Sequence, residues 1–195
     1  MNILSAINRA NDLLKFHGII SSKLDCEILI SEVLKTDRAN IILDMNRDLT
    51  NNELSYFNEL IKQRSKKKPL AYLTKKKEFW KYQFYVTKDV LIPRPDTEII
   101  IDKVLKLTRN KSKINFLDIG VGSGCIILSI LKEKKNFYGT GIDISKKCLE
   151  ICRINADKLG IFNRLKLFKS DIDNFNYGKY DLIVSNPPYI KKFNL

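Results

Sequence analysis

Asn186-Pro187-Pro188-Tyr189 sets an amide, two prolines and an aromatic ring directly after a short apolar run, Leu182-Ile183-Val184. The run reads as a buried parallel strand. Prolines end a strand and fix the backbone on either side of themselves. A rigid loop at the carboxyl end of a parallel strand is where open α/β sheets place their ligands. The chemistry that suits this loop is the grip of a planar –NH2 group. The Asn186 side-chain oxygen and a neighbouring backbone carbonyl each accept one N–H, and Tyr189 covers the flat face. The competing reading is a proline-terminated strand without chemistry.

Upstream, Asp118-Ile119-Gly120-Val121-Gly122-Ser123-Gly124 closes one strand and opens a helix. Glycines there let the backbone turn tightly and approach a ligand that a Cβ would exclude. The helix start adds unpaired N–H groups and the positive dipole end, which suits a carboxylate. The third glycine comes one residue too early for the dinucleotide fingerprint, and no Gly-Lys-Ser/Thr follows for a phosphate loop. Asp143 ends the next strand, where a carboxylate can accept both hydroxyls of a ribose. It can equally serve as a helix-capping acid beside Ser145. Asp171 and Ile172 follow a third strand. Asp171 can accept an exocyclic amine while Ile172 packs on a ring, or it can be a turn residue.

The elements that carry these residues alternate from about Ile114 onward: strand Ile114–Ile119, helix from Cys125 to about Lys134, and strand Phe137–Ile142. A helix capped by Ser145 then ends at Gly160, and strands Leu165–Phe168 and Tyr180–Val184 follow. Strands alternating with helices predict a parallel sheet with helices on both faces. All four chemical segments then share the carboxyl edge of one sheet. Before them, residues to about Lys68 read as a bundle of three or four helices. Ile3, Ile7, Leu13, Leu14 and Phe16 form one face. Ser22 with Asp25 marks a helix start, and Thr50 with Glu53 forms a capping box. Phe79, Trp80, Tyr82, Phe84, Tyr85 and Val86 predict a β-hairpin turning near Lys81 to Gln83. Pro93-Arg94-Pro95 forces an extended path that holds Arg94 in place, and Asp96 or Thr97 is expected to cap the following helix.

Composition bounds the rest. Lys and Arg outnumber Asp and Glu, 35 to 22, for a net charge of +13. Lysine runs at Lys66-Lys67-Lys68 and Lys75-Lys76-Lys77 suit an acidic protein, a ribosome or nucleic acid. Equally, the chain is rich in Lys, Ile and Asn throughout, and the charge is spread more than clustered. No apolar run reaches a membrane span, and the amino terminus has no secretory signal, so a cytoplasmic protein is expected. Cys26, Cys125, Cys148 and Cys152 lack paired spacing and are expected to be reduced core thiols. With His17 as the single histidine, no metal site is expected.

Taken together, the glycine loop, the two acids and Asn-Pro-Pro-Tyr resemble a class I S-adenosylmethionine-dependent methyltransferase acting on a planar nitrogen. Pro69-Leu70-Ala71-Tyr72-Leu73, Glu78-Phe79-Trp80 and Leu91-Ile92-Pro93-Arg94-Pro95-Asp96-Thr97-Glu98 are similar to the protein-(glutamine-N5) methyltransferases of peptide chain release factors, the PrmC/HemK family. Asp96 stands where that family usually has glutamate. Adenine-N6 methyltransferases of DNA or ribosomal RNA share the sheet and Asn-Pro-Pro-Tyr but not this linker.

The resemblance implies an α/β, Rossmann-like, doubly wound sheet in residues 98–195, a hairpin linker in 69–97 and a helical release-factor-binding domain in 1–68. It implies S-adenosylmethionine held by Asp118, Gly120, Val121, Gly122, Ser123, Gly124, Asp143, Ile144, Asp171, Ile172 and Asn186. It implies a glutamine site formed by Asn186, Pro187, Pro188 and Tyr189, with Arg94 nearby. The partner implied is the Gly-Gly-Gln loop of a release factor, not a nucleic acid. The family has about three more strands after the fourth, so the sheet is expected to be incomplete at Leu195, with the fourth strand as an apolar edge.

Overall fold

The computed structural model describes residues 1–187. The chain divides into two compact units, residues 1–75 and 76–195. The hairpin and the Arg-Pro segment therefore cluster with the sheet, and residues 69–75 with the helices.

The first unit holds α1 (Ile3–Phe16), α2 (Ser22–Leu34), α3 (Arg38–Leu43), α4 (Asn51–Ser65) and α5 (Leu70–Thr74). The Thr50–Glu53 capping box forms as expected: the Thr50 hydroxyl accepts from Glu53 N–H and the Glu53 carboxylate accepts from Thr50 N–H. Ile3, Ile7 and Leu14 of α1 are buried with Leu29, Ile30, Phe57, Leu60 and Ile61. Leu13 and Phe16, expected on that face, are exposed instead. Asp25 does not cap α2. Its carboxylate accepts from Arg64 Nε of α4 at 2.6 Å, and Glu27 accepts from Arg38 Nε of α3 at 2.6 Å. Both acids are nearly inaccessible, so each buried charge is held by its own arginine. Lysines at the predicted runs finish helices: Lys66 caps α4, and Lys75 caps α5 in the left-handed conformation.

The second unit begins with the hairpin β1 (Lys76–Phe79) and β2 (Tyr82–Tyr85), which turns at Trp80-Lys81. A 3-10 turn over Pro95–Thr97 runs directly into α6 (Glu98–Leu107). Thr97 is itself helical (φ −70°, ψ −17°) and makes no side-chain cap, so neither Asp96 nor Thr97 caps α6. There follow β3 (Asn115–Ile119), α7 (Cys125–Glu133), β4 (Tyr138–Asp143), α8 (Lys146–Lys158), β5 (Leu165–Lys169) and β6 (Leu182–Ser185). The four strands after the hairpin make one parallel sheet in the order β5-β4-β3-β6. The first connections step outward from β3 through β4 to β5. The chain then crosses back to place β6 on the other side of β3, so β3's carboxyl end is the switch point where such sheets bind ligands.

Helices α6, α7 and α8 pack in series. Gly139 of β4 lies under α7, where a Cβ would meet Ile127 at 2.8 Å. Helices on both faces were expected. Among the described residues these three form one layer. On the other side, Phe168 gathers Phe175 and Tyr177 of the loop before β6, with ring centroids 5.7 and 5.0 Å away. β6 is an edge strand of the described sheet, and its Ile183 is 58% exposed. The cysteines are all free, with Cys26, Cys148 and Cys152 buried and Cys125 intermediate. Among the described residues no cluster suited to a metal ion occurs, and no helix is long and apolar enough to cross a membrane.

Candidate active site

A cleft of about 440 Å³ opens at the carboxyl edge of the sheet, a size suited to a nucleoside-bearing small molecule. One wall is the glycine loop, with Gly120, Val121, Gly122 and Ser123. The second is Asp143 and Ile144 after β4, and the third is Asp171 and Ile172 after β5. Asn186 and Pro187 after β6 complete it, with Arg94 and Thr97 from the Arg-Pro segment. Every predicted segment thus meets at one place, including the arginine. Pro188 and Tyr189 lie outside the described residues. Asp118 and Gly124 are in the predicted set but do not line the cleft.

The loop is tied down at its start. Gly120 N–H and Val121 N–H both donate to the Ile142 carbonyl of β4, at 2.9 and 3.0 Å. Gly124, at φ +82°, enters α7, and a Cβ there would stand 2.6 Å from Cys152 Sγ and 2.8 Å from Leu128 Cδ1. Glycine at 124 is therefore required by packing as well as by conformation. α7 starts without a side-chain cap, which leaves first-turn N–H groups for an anionic group.

Asp143 accepts from Gly122 N–H through Oδ2 at 3.0 Å and from Ser145 N–H through Oδ1 at 2.9 Å. Ser145 itself caps α8 through its hydroxyl. Each Asp143 oxygen keeps a second lone pair, so the carboxylate can still accept hydroxyl donors while it braces the loop. Asp171 does what its turn reading implied: it accepts from Asn174 N–H at 2.8 Å and from Asn174 Nδ2 at 2.7 Å. It nevertheless stays on the cleft wall, with Ile172 half exposed beside it.

Asp118 differs from its expected place. It is 1% exposed beneath the loop, and neither carboxylate oxygen has a partner of full hydrogen-bond geometry. Burial pushes its carboxyl up to about 8; the Ile127 N–H opposes this and nearby Asp143 adds to it. Its side chain therefore acts from below the loop, where it cannot touch a ligand in the cleft directly.

Three residues with roles here had weaker signals or none in the sequence. Asn186 Nδ2 donates to Thr97 Oγ1 at 2.9 Å, joining the end of β6 to the start of α6. Glu98, the next residue, accepts from Trp80 N–H at 2.7 Å in the hairpin turn, where Trp80 sits at φ +57°. Asn155 of α8 is 1% exposed and fully used: Oδ1 accepts from Tyr85 N–H at 2.7 Å, and Nδ2 donates to the Tyr85 carbonyl at 2.9 Å and the Ser123 carbonyl at 2.8 Å. It fastens the glycine loop and the hairpin to one helix. The polar residue on the apolar face of α8 was the one available hint.

These residues fit S-adenosylmethionine. The loop glycines leave a cradle that side chains would fill, Asp143 offers acceptors for a ribose diol, and the uncapped helix start suits a carboxylate.

The comparisons with known proteins agree. Residues 5–74 match the model of the PrmC N-terminal domain, and residues 97–194 match that of the methyltransferase small domain. The release factor glutamine methyltransferase of Caulobacter vibrioides is 35% identical over 191 residues, covering 97% of this chain and 66% of that protein. That of Buchnera aphidicola subsp. Acyrthosiphon pisum is 40% identical over 192 residues, covering 98% and 68%. That of Leptospira interrogans is 38% identical over 193 residues, covering 97% and 68%. The chain spans about two thirds of the length of these relatives. With both family models matched in order and these identities running through the helical unit, the linker and the cleft alike, the chain belongs to the release factor glutamine methyltransferase family.

Proposed function

We propose that this protein methylates the side-chain amide N5 of the glutamine in the Gly-Gly-Gln loop of peptide chain release factors, and so modulates translation termination in the cytoplasm. The observation that carries this reading is the meeting of Asn186 and Pro187 with the glycine loop and Asp143 around one cleft. When bound, S-adenosylmethionine supplies a methyl group made electrophilic by the positive charge on its sulfur. The glycine loop, Asp143 and Ile144, and Asp171 and Ile172 hold it. Asp118 supports the loop from beneath.

An amide nitrogen is a poor nucleophile, because its lone pair is delocalised into the carbonyl. Asn186 Oδ1 and the Pro187 carbonyl accept its two N–H groups and fix the plane of the amide, so that its lone pair faces the incoming methyl. Tyr189 covers the amide's flat face, and Arg94 supports the acceptor side of the cleft. The contribution is positioning and preorganised dipoles. No strong base is required beforehand, since the nitrogen becomes acidic as it gains the methyl and then gives its proton to solvent. The products are N5-methylglutamine and S-adenosylhomocysteine. The helical unit is assigned to docking of the release factor.

The test is incubation of the chain with labelled S-adenosylmethionine and a release factor, with peptide mass analysis of the Gly-Gly-Gln segment. The expected result is one added methyl on that glutamine and none on a Gln→Ala factor. Label on naked DNA or ribosomal RNA instead would replace this reading by nucleic-acid methylation. Cofactor binding with no label on any substrate would leave a binding protein.

A further inference from the structure

We propose that Thr97 is a positioning residue for the amide grip: it fixes which end of the Asn186 side chain faces the bound substrate. The proposal rests on the function proposed above. An asparagine amide has a donor end and an acceptor end of nearly the same shape, exchanged by a half-turn about its last torsion. That torsion is broad and two-fold, so the side chain does not choose by itself. The substrate –NH2 offers two donors. Facing the Asn186 oxygen it is satisfied; facing the Asn186 nitrogen it meets further donors, and no bond forms.

In the structure the nitrogen end is held away. Asn186 Nδ2 donates to Thr97 Oγ1 at 2.9 Å, and no described residue donates to Oδ1. Thr97 is well placed to impose this. It is 7% exposed, and its own N–H donates to the Arg94 carbonyl at 3.0 Å within the 3-10 turn that Pro95 starts. Because that turn continues straight into α6, the hydroxyl is not engaged as a helix cap. The following residue, Glu98, is anchored on the Trp80 N–H. The segment that carries Thr97 is therefore braced on both sides of it. The consequence is selectivity for a nitrogen that donates two N–H groups: the tether favours glutamine over glutamate at the target position.

The experiment uses the full chain with Thr97→Val, which keeps the shape and removes the hydroxyl, and Thr97→Ser, which keeps the hydroxyl. Readouts are kcat and KM for the release factor, S-adenosylhomocysteine affinity by calorimetry, and the Asn186 side-chain amide signal in 1H–15N spectra. That signal is assigned by its loss in Asn186→Ala. Thr97→Val is expected to lower kcat about 10- to 100-fold, with KM within about threefold and cofactor affinity within about twofold. Thr97→Ser restores most of the rate. In spectra, one Asn186 amide proton is expected to be shifted and slow to exchange in the parent and the Ser variant, and fast in the Val variant. Unchanged kcat in Thr97→Val, an equal loss in Thr97→Ser, or cofactor affinity lost together with rate overturns the proposal. If the parent chain methylates no Gly-Gly-Gln factor, the functional reading fails, and the spectra still decide the tether. Identical Asn186 amide exchange in the parent and the Val variant overturns it.

Discussion

Asp118→Asn tests the buried carboxyl beneath the glycine loop. The carboxyl sits at about 8 in the folded chain against an ordinary 3.8, chiefly because burial disfavours its charged form. Its unfolded counterpart is ionised above about pH 4. Between these values the folded state therefore holds a proton that the unfolded state has lost, and stability falls as pH rises. The slope is about 1.4 kcal/mol per pH unit, so the wild type is expected to lose about 3 kcal/mol relative to Asp118→Asn between pH 5 and pH 7, levelling off above pH 8. Asparagine keeps the shape without the titration, so subtracting its curve removes the other ionisable groups, the single histidine included. The assay is urea unfolding at half-unit pH steps, followed by the fluorescence of Trp80, the single tryptophan, which lies in the same unit as Asp118. A difference that stays flat within about 0.5 kcal/mol, or that rises with pH, refutes the reasoning. A rise would mean that the ionised carboxylate is stabilised by a donor.

Four further outcomes are expected. Asn186→Ala abolishes methyl transfer while S-adenosylhomocysteine affinity, measured by calorimetry, stays within about threefold, because the residue serves the acceptor side of the cleft. Gly124→Ala combines a left-handed backbone with a clash against Cys152 and Leu128, and is expected to cost about 2–4 kcal/mol in urea unfolding. Gly120→Ala, where nothing lies within 4 Å, costs about 1–2 kcal/mol. Asn155→Leu strands the Tyr85 amide and the Ser123 carbonyl. It is expected to cost about 2–4 kcal/mol and to weaken cofactor binding in the same titration. Glu133→Ala removes the acceptor shared by Trp80 Nε1 at 2.9 Å, Tyr82 Oη at 3.2 Å and Lys81. A red-shifted Trp80 emission and a loss of about 1–2 kcal/mol are expected, with the cleft's ligand affinity unchanged.

The sequence by itself determined the features that depend on near neighbours along the chain. The glycine loop, the acid after β4, the Asn-Pro segment after β6 and the Thr50–Glu53 box follow from residue types within a few positions of one another. Alternation of strands and helices was enough to set them on one sheet edge, because right-handed crossovers leave few other arrangements. Tertiary structure decided the pairings that span the chain. Thr97 reads as a helix cap until a partner 89 residues away takes its hydroxyl. Asp25 reads as a capping acid until Arg64 of α4 is packed beside it, and Asn155 is an ordinary helix polar residue until two backbone segments need its amide. Asp118 stands in a loop that approaches ligand, yet the alternation of its strand turns it into the core. A side chain's neighbours along the chain fix its local conformation. Its hydrogen-bond partners and its exposure to water depend on which surfaces the fold brings against it, and that is set by packing over the whole unit.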